Sequence, residues 1–189
     1  KLNAPPNLVY NGEPKTYTAV SVSNSPISYT TNDFNYLYVG TNNAGTVYSN
    51  SVPPTDAGTY TITASVKTNP DVDKTATFTI TRSNPVILWN NLAAVTYPTA
   101  LGGMQLSATE SNSLAGAFSY APPSGVIPNA GTNTLVATFT PADTNNFAIA
   151  LRTNTLVVSK GTPVLTWGSL NPIPYGTALT TELGASEIN

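Results

Sequence analysis

Cysteine and histidine are absent from this chain of 189 residues, methionine occurs once, and charged residues make up only 8% of it. Without His and Cys, the commonest general base, the commonest metal ligands and the thiol nucleophile are all missing, which excludes most hydrolase, zinc and redox mechanisms. Scarce charge excludes a further class. Seven Lys+Arg stand against nine Asp+Glu, for a net charge of −2, and no cationic cluster is available to neutralise phosphates, so nucleic acid is not an expected partner. No apolar run approaches the roughly 18 residues of a spanning helix, so membrane insertion is not expected either. The opening Lys1-Leu2-Asn3-Ala4-Pro5-Pro6 lacks the apolar core of a signal peptide; either a signal has been removed or the chain is a fragment.

What the chain does have is neutral polarity: 30 Thr, 21 Asn and 16 Ser beside 40% hydrophobic residues. Thr favours strands and Asn favours turns, while the apolar content suffices for a core. Tyr60-Thr61-Ile62-Thr63-Ala64-Ser65-Val66 and Thr77-Phe78-Thr79-Ile80-Thr81 alternate with the period of half-buried strands, threonines on the wet face. Turn clusters such as Ser51-Val52-Pro53-Pro54-Thr55, Asn69-Pro70-Asp71 and Asp143-Thr144-Asn145-Asn146 punctuate these runs, and helical spacing is not sustained anywhere. An all-β chain of sandwich modules is expected.

Internal repeats organise it. Pro85-Val86-Ile87-Leu88-Trp89 returns 78 positions later as Pro163-Val164-Leu165-Thr166-Trp167, and Tyr97-Pro98-Thr99-Ala100-Leu101 returns as Tyr175-Gly176-Thr177-Ala178-Leu179. Upstream, Asp56-Ala57-Gly58-Thr59-Tyr60 aligns with Asn129-Ala130-Gly131-Thr132-Asn133. The expected domains are 1–83, 84–160 and an incomplete third repeat, 161–189. Asp-x-Gly-x-Tyr at the start of a late strand is the tyrosine corner of immunoglobulin-like sandwiches, in which the Tyr60 hydroxyl ties its strand to backbone upstream. Asn133 stands in the tyrosine's place in the second repeat.

Within 84–160, Pro85–Trp89 and Tyr97–Leu101 are followed by Gln105-Leu106-Ser107-Ala108-Thr109, Gly116-Ala117-Phe118-Ser119-Tyr120, Asn129-Ala130-Gly131 and Ala137-Thr138-Phe139-Thr140-Pro141-Ala142-Asp143-Thr144-Asn145-Asn146-Phe147. This succession resembles the bacterial Ig-like repeats of the MBG type, and 1–83 resembles a variant of them through Val9-Tyr10-Asn11-Gly12 and Asp56–Tyr60. The resemblance implies tandem Ig-like β-sandwich modules in a large extracellular protein, secreted or on the bacterial cell surface. It transfers no catalytic residues and no cofactor.

Candidate sites are few. Tyr29, Phe34, Tyr36, Tyr38 and Tyr48, interleaved with Asn32, Asp33, Asn35, Asn42 and Asn43, could stack on sugar rings and bond their hydroxyls. Alternation along Tyr36-Leu37-Tyr38-Val39 puts the tyrosines on one face and the aliphatics on the other; with the aliphatic face in the core, Tyr36, Tyr38 and Asn35 would be a ligand-binding strip, and otherwise the tyrosines pack on a neighbouring strand or in the core. Asp33, Asp56, Asp71, Asp73 and Asp143 could serve calcium, but no spacing among them resembles a calcium loop, and they read as turn formers. Lys15 near Glu13 and Lys74 beside Asp73 are the pairs nearest to an isopeptide arrangement, and both read as solvated surface charge. Trp89 and Trp167 read as core or interdomain anchors.

The expected function is a non-enzymatic spacer or stalk, its partners being neighbouring Ig-like modules of the same protein or of neighbouring subunits. The joints Ser83-Asn84-Pro85 and Gly161-Thr162-Pro163 should limit bending, because Pro fixes its own φ and biases the residue before it toward extended backbone. Two alternatives stay open: an adhesin module that binds glycan or protein through the Tyr36/Tyr38 face, and a fibre subunit that assembles by strand addition.

Overall fold

A computed structural model describes residues 1–22, 26–167, 172, 174–176 and 185–188. Among them there is no α-helix, only a 3-10 turn at Thr31–Asp33. The first half contributes strands β1 (Leu2–Asn3), β2 (Thr18–Ala19), β3 (Phe34–Asn42), β4 (Val47–Asn50), β5 (Gly58–Val66) and β6 (Asn69–Ile80). Then come β7 (Ile87–Leu88), β8 (Val95–Thr96), β9 (Thr109–Glu110), β10 (Gly116–Ala121), β11 (Gly131–Pro141), β12 (Ala150–Ser159), β13 (Val164–Trp167) and β14 (Ala185–Ile188). The fold is all-β, consistent with a sandwich. One four-stranded sheet has the order β4-β3-β5-β6, all antiparallel, and a second has the order β10-β11-β12-β8, with β8 parallel to β12. Two-stranded sheets β1-β2, β7-β9 and β13-β14 complete the set. Much of 161–189 lies outside the described residues.

Contacts divide the chain into two compact units: residues 1–88, 109–118 and 138–151 in one, and 89–108, 119–137 and 152–189 in the other.

The parity of β5 sets the first core. Tyr60, Ile62, Ala64 and Val66 point inward, while Thr59 and Thr61 face out and meet Thr79 and Thr77 across the β5-β6 ladder, hydroxyl to hydroxyl, at 3.3 and 3.0 Å. Register transmits that parity to β3, since Ile62 lies opposite Tyr38 and Ala64 opposite Tyr36. The inward set is therefore Phe34, Tyr36 and Tyr38, and Leu37 and Val39 are left 46% and 43% exposed. The tyrosines therefore take the packed arrangement and not the exposed, ligand-binding strip. Period-2 alternation separates two sets of residues, and cross-strand partners decide which of them is buried.

Tyrosine hydroxyls also make up for a very short opposing sheet. The β1-β2 pair is only two residues long, and Tyr38 Oη accepts the Tyr17 N–H at 3.2 Å while Tyr36 Oη accepts the Ala19 N–H at 3.0 Å. Tyr36 in turn donates to the Thr31 carbonyl at 3.2 Å. The phenols thus satisfy backbone donors that a longer ladder would have paired. Tyr17, Tyr38, Tyr60 and Phe78 pack ring on ring around Ile62 and Ile80. Gly40 sits under this cluster: a Cβ there would overlap the Thr59 carbonyl and come within 2.7 Å of the Tyr60 Cα.

The second sheet follows the same logic, with Leu135, Ala137 and Phe139 of β11 and Leu156 and Val158 of β12 buried. Trp89 is buried, donates Nε1–H to the Gln105 carbonyl at 3.0 Å and meets Tyr120 edge to face at 5.7 Å. The backbone of Trp167 pairs with Ala185, but its side chain lies outside the described residues.

Candidate functional site

At the start of β5, the corner closes on itself. The Tyr60 hydroxyl donates to the Asp56 carbonyl, four residues upstream, at 2.9 Å. Burial of the phenol, reinforced by the Asp56 carboxylate, pushes its pKa up to about 12. In the second repeat the Asn133 carboxamide donates to the Asn129 carbonyl, again four residues upstream and again at 2.9 Å. An amide therefore makes the bond that a phenol makes in the first repeat.

The Asp56 side chain looks the other way, toward the loop Asp143-Thr144-Asn145-Asn146-Phe147. Within this loop, Asp143 Oδ1 accepts the N–H groups of Asn145 and Asn146 at 3.1 and 3.2 Å, which folds the turn. Asn146 is buried and uses its amide in full: Oδ1 accepts the Ala57 N–H at 2.8 Å, and Nδ2 donates to Asp143 Oδ2 at 2.9 Å and to Asp56 Oδ1 at 3.3 Å. The Asn145 carbonyl accepts from Asn43 Nδ2 at 2.9 Å and from Arg82 Nε at 3.2 Å. Backbone closes the contact, with Ser83 N–H on the Asn146 carbonyl and Ala148 N–H on the Ser83 carbonyl, both 2.9 Å. Phe147 completes it by meeting the Tyr10 ring edge to face at 5.2 Å.

This clamp was not singled out by sequence reasoning, which read Asp143–Asn146 as one turn cluster among several. The available signal was Phe147, a large apolar residue at the end of a polar loop.

The proposed ligand residues are not brought together. Asn35 is exposed on the outer face of β3, whereas Tyr38 is 1% exposed and Tyr36 half-buried on the inner face. A cleft of about 300 Å³ is lined by Thr16, Tyr17, Asn32, Tyr36, Tyr38 and Pro53, so both rings contribute walls rather than a platform. A second cleft, of about 290 Å³, lies beside the corner between Tyr48, Tyr60 and the Val52-Pro53-Pro54 turn, and one of about 380 Å³ is lined by Leu2, Phe34, Val66 and Val72 together with Lys1, Asp73 and Lys74.

The acids and lysines are placed as follows. Asp33 caps the 3-10 turn, and bonds from the Thr30 N–H and hydroxyl hold its carboxyl below the usual range. Asp71 and Asp73 are exposed. Lys74 is exposed as expected, but Lys15 is not a solvated charge: it is 3% exposed, its N–H bonds the Pro54 carbonyl, and Nζ donates to Asn11 Oδ1 at 2.5 Å. Its head group is bonded within the local turn instead of being left to water. Among the described residues, no group of three or more acids is arranged to hold a metal ion, and no helix is long and apolar enough to cross a membrane.

A scan against protein-family models finds no match, and a search of the curated proteins finds none either.

Proposed function

We propose that this chain is a non-enzymatic spacer: tandem Ig-like modules of the MBG kind, in an extracellular protein of a bacterial surface or secreted from it, whose task is to hold what lies on either side at a fixed separation. The observation that carries the reading is the clamp. A spacer works only if its joints resist bending, and Pro85 alone restricts one φ, worth on the order of 1 kcal/mol of backbone entropy. Six hydrogen bonds and an aromatic pair tie the 143–148 segment to residues 10–83. At about 0.5–1.5 kcal/mol per bond they outweigh the proline severalfold.

The absence of Cys makes a clean test of the clamp possible, because Thr75→Cys and Thr144→Cys, both at exposed positions, label without interference. Spin labels at these sites should give one narrow distance distribution in the parent chain and a broad one in Asn146→Ala. Equal breadth in both would remove the spacer reading. The adhesin alternative is tested through Asn32→Ala on a glycan array, since replacing the buried Tyr38 would disturb folding instead of binding alone.

A further inference from the structure

The surface that receives the Asp143–Phe147 loop has a second copy. The equivalence is fixed by backbone bonding. Val9 bridges Thr81 in parallel and the next residue, Tyr10, donates its N–H to the Thr81 carbonyl at 2.8 Å; Thr96 pairs with Ser159 in parallel and the next residue, Tyr97, donates to the Ser159 carbonyl at 2.9 Å. Tyr97 thus stands where Tyr10 stands, and Lys160 and Gly161, which follow Ser159, stand where Arg82 and Ser83 follow Thr81. The corner bonds equate Asn129 and Ala130 with Asp56 and Ala57 in the same way.

These equivalents keep the chemistry of five of the loop's six hydrogen bonds and of its aromatic contact; no counterpart of Asn43 is among them. Lys160 supplies a cation in place of Arg82, Asn129 an acceptor oxygen in place of the Asp56 carboxylate, Ala130 and Gly161 the backbone groups, and Tyr97 the aromatic face. Occupancy differs. Ala57 is 0% exposed, whereas Ala130 is exposed, and Tyr97 is 41% exposed.

We propose that Tyr97, Asn129, Ala130, Lys160 and Gly161 form a receptor for an Asp-x-Asn-Asn-Phe hairpin loop presented by another module of the same kind. The Asn amide of such a loop would bridge the Ala130 N–H and the Asn129 oxygen, the carbonyl before it would meet Lys160, and its Phe would lie edge-on against Tyr97. This deepens the spacer reading and rests on it for the identity of the occupant: one clamp, used again, would join each module to the next.

The probe is a cyclised peptide of Pro141–Ala148, titrated into the isotope-labelled full chain and followed by amide chemical shifts. The first receptor is already filled by its tethered loop, whose effective concentration is in the millimolar range, so the free receptor should respond. Saturable shifts are expected at Tyr97, Ala130, Lys160 and Gly161, reduced at least tenfold in affinity by Tyr97→Ala on the chain and lost when the peptide's Asn146 and Phe147 are both Ala. Absence of shifts at these amides up to about 10 mM peptide, or shifts confined to Tyr10, Ala57 and Arg82, would overturn the proposal. The spin-label distances report the clamp independently of the peptide, so a blank titration beside a narrow parent distribution removes the receptor and leaves the spacer standing.

Discussion

In the first repeat a buried phenol closes the corner and lies against Tyr48 and Phe78, at ring distances of 5.8 and 5.7 Å. In the second, a half-buried carboxamide closes it over the same four-residue span. What the two share is the hydrogen bond to the carbonyl at the turn; what differs is apolar burial. The turn therefore needs a donor of the right reach, and aromatic bulk is a separate contribution that the first repeat adds. A second contrast sits beside the first: the corner turn that carries the phenol also receives a loop, through Asp56 and Ala57, and its counterpart at Asn129 and Ala130 is open.

The largest effect expected from this contrast is Tyr60→Ala, which removes ring and bond together and should cost about 4 kcal/mol in urea unfolding, the range of buried aromatic truncations. Asn133→Ala should cost under about 1 kcal/mol, as befits one partly exposed bond. Equal losses would mean that burial does not separate the two corners. Next comes Asn146→Ala. It leaves the Ala57 N–H without its acceptor in a buried place and should cost about 2 kcal/mol, together with faster amide exchange at Ala57 and Ser83.

Tyr60→Phe follows, at about 1 kcal/mol, because only the bond is lost. The same hydroxyl gives a pH signature. Its folded pKa of about 12 lies above the ordinary tyrosine value of 10.0, so the neutral form is favoured by folding. Stability from this group is whole below pH 10 and is lost as pH rises toward 12. Tyr60→Phe should remove that share of the alkaline loss, and Asn133→Ala should leave it unchanged.

Much of the architecture could be read from the chain before any coordinates: the alternation of β5 and β6, the absence of helical spacing, and the Asp56–Tyr60 segment, where the phenol's bond is found. The orientation of β3 could not. Tyr36-Leu37-Tyr38-Val39 is apolar on both faces, and only its register against Tyr60, Ile62 and Ala64 sends the tyrosines inward. Lys15 was misread for a related reason, since a turn sequence does not reveal that the side chain is covered from elsewhere. The clamp escaped because its bonds join residues about 90 positions apart, and Asp143-Thr144-Asn145-Asn146 has the composition of any surface turn.

The claim on which the account turns is that the joint at Ser83-Asn84-Pro85 is fixed by the loop that lies against it. Backbone ¹⁵N relaxation at Ser83 and Val86 tests this most directly. The account predicts order parameters near 0.85, the level of rigid backbone, in the parent chain, falling at Ser83 when Asn146 is replaced by Ala. Values below about 0.6 in the parent chain, or values unmoved by Asn146→Ala, would contradict it.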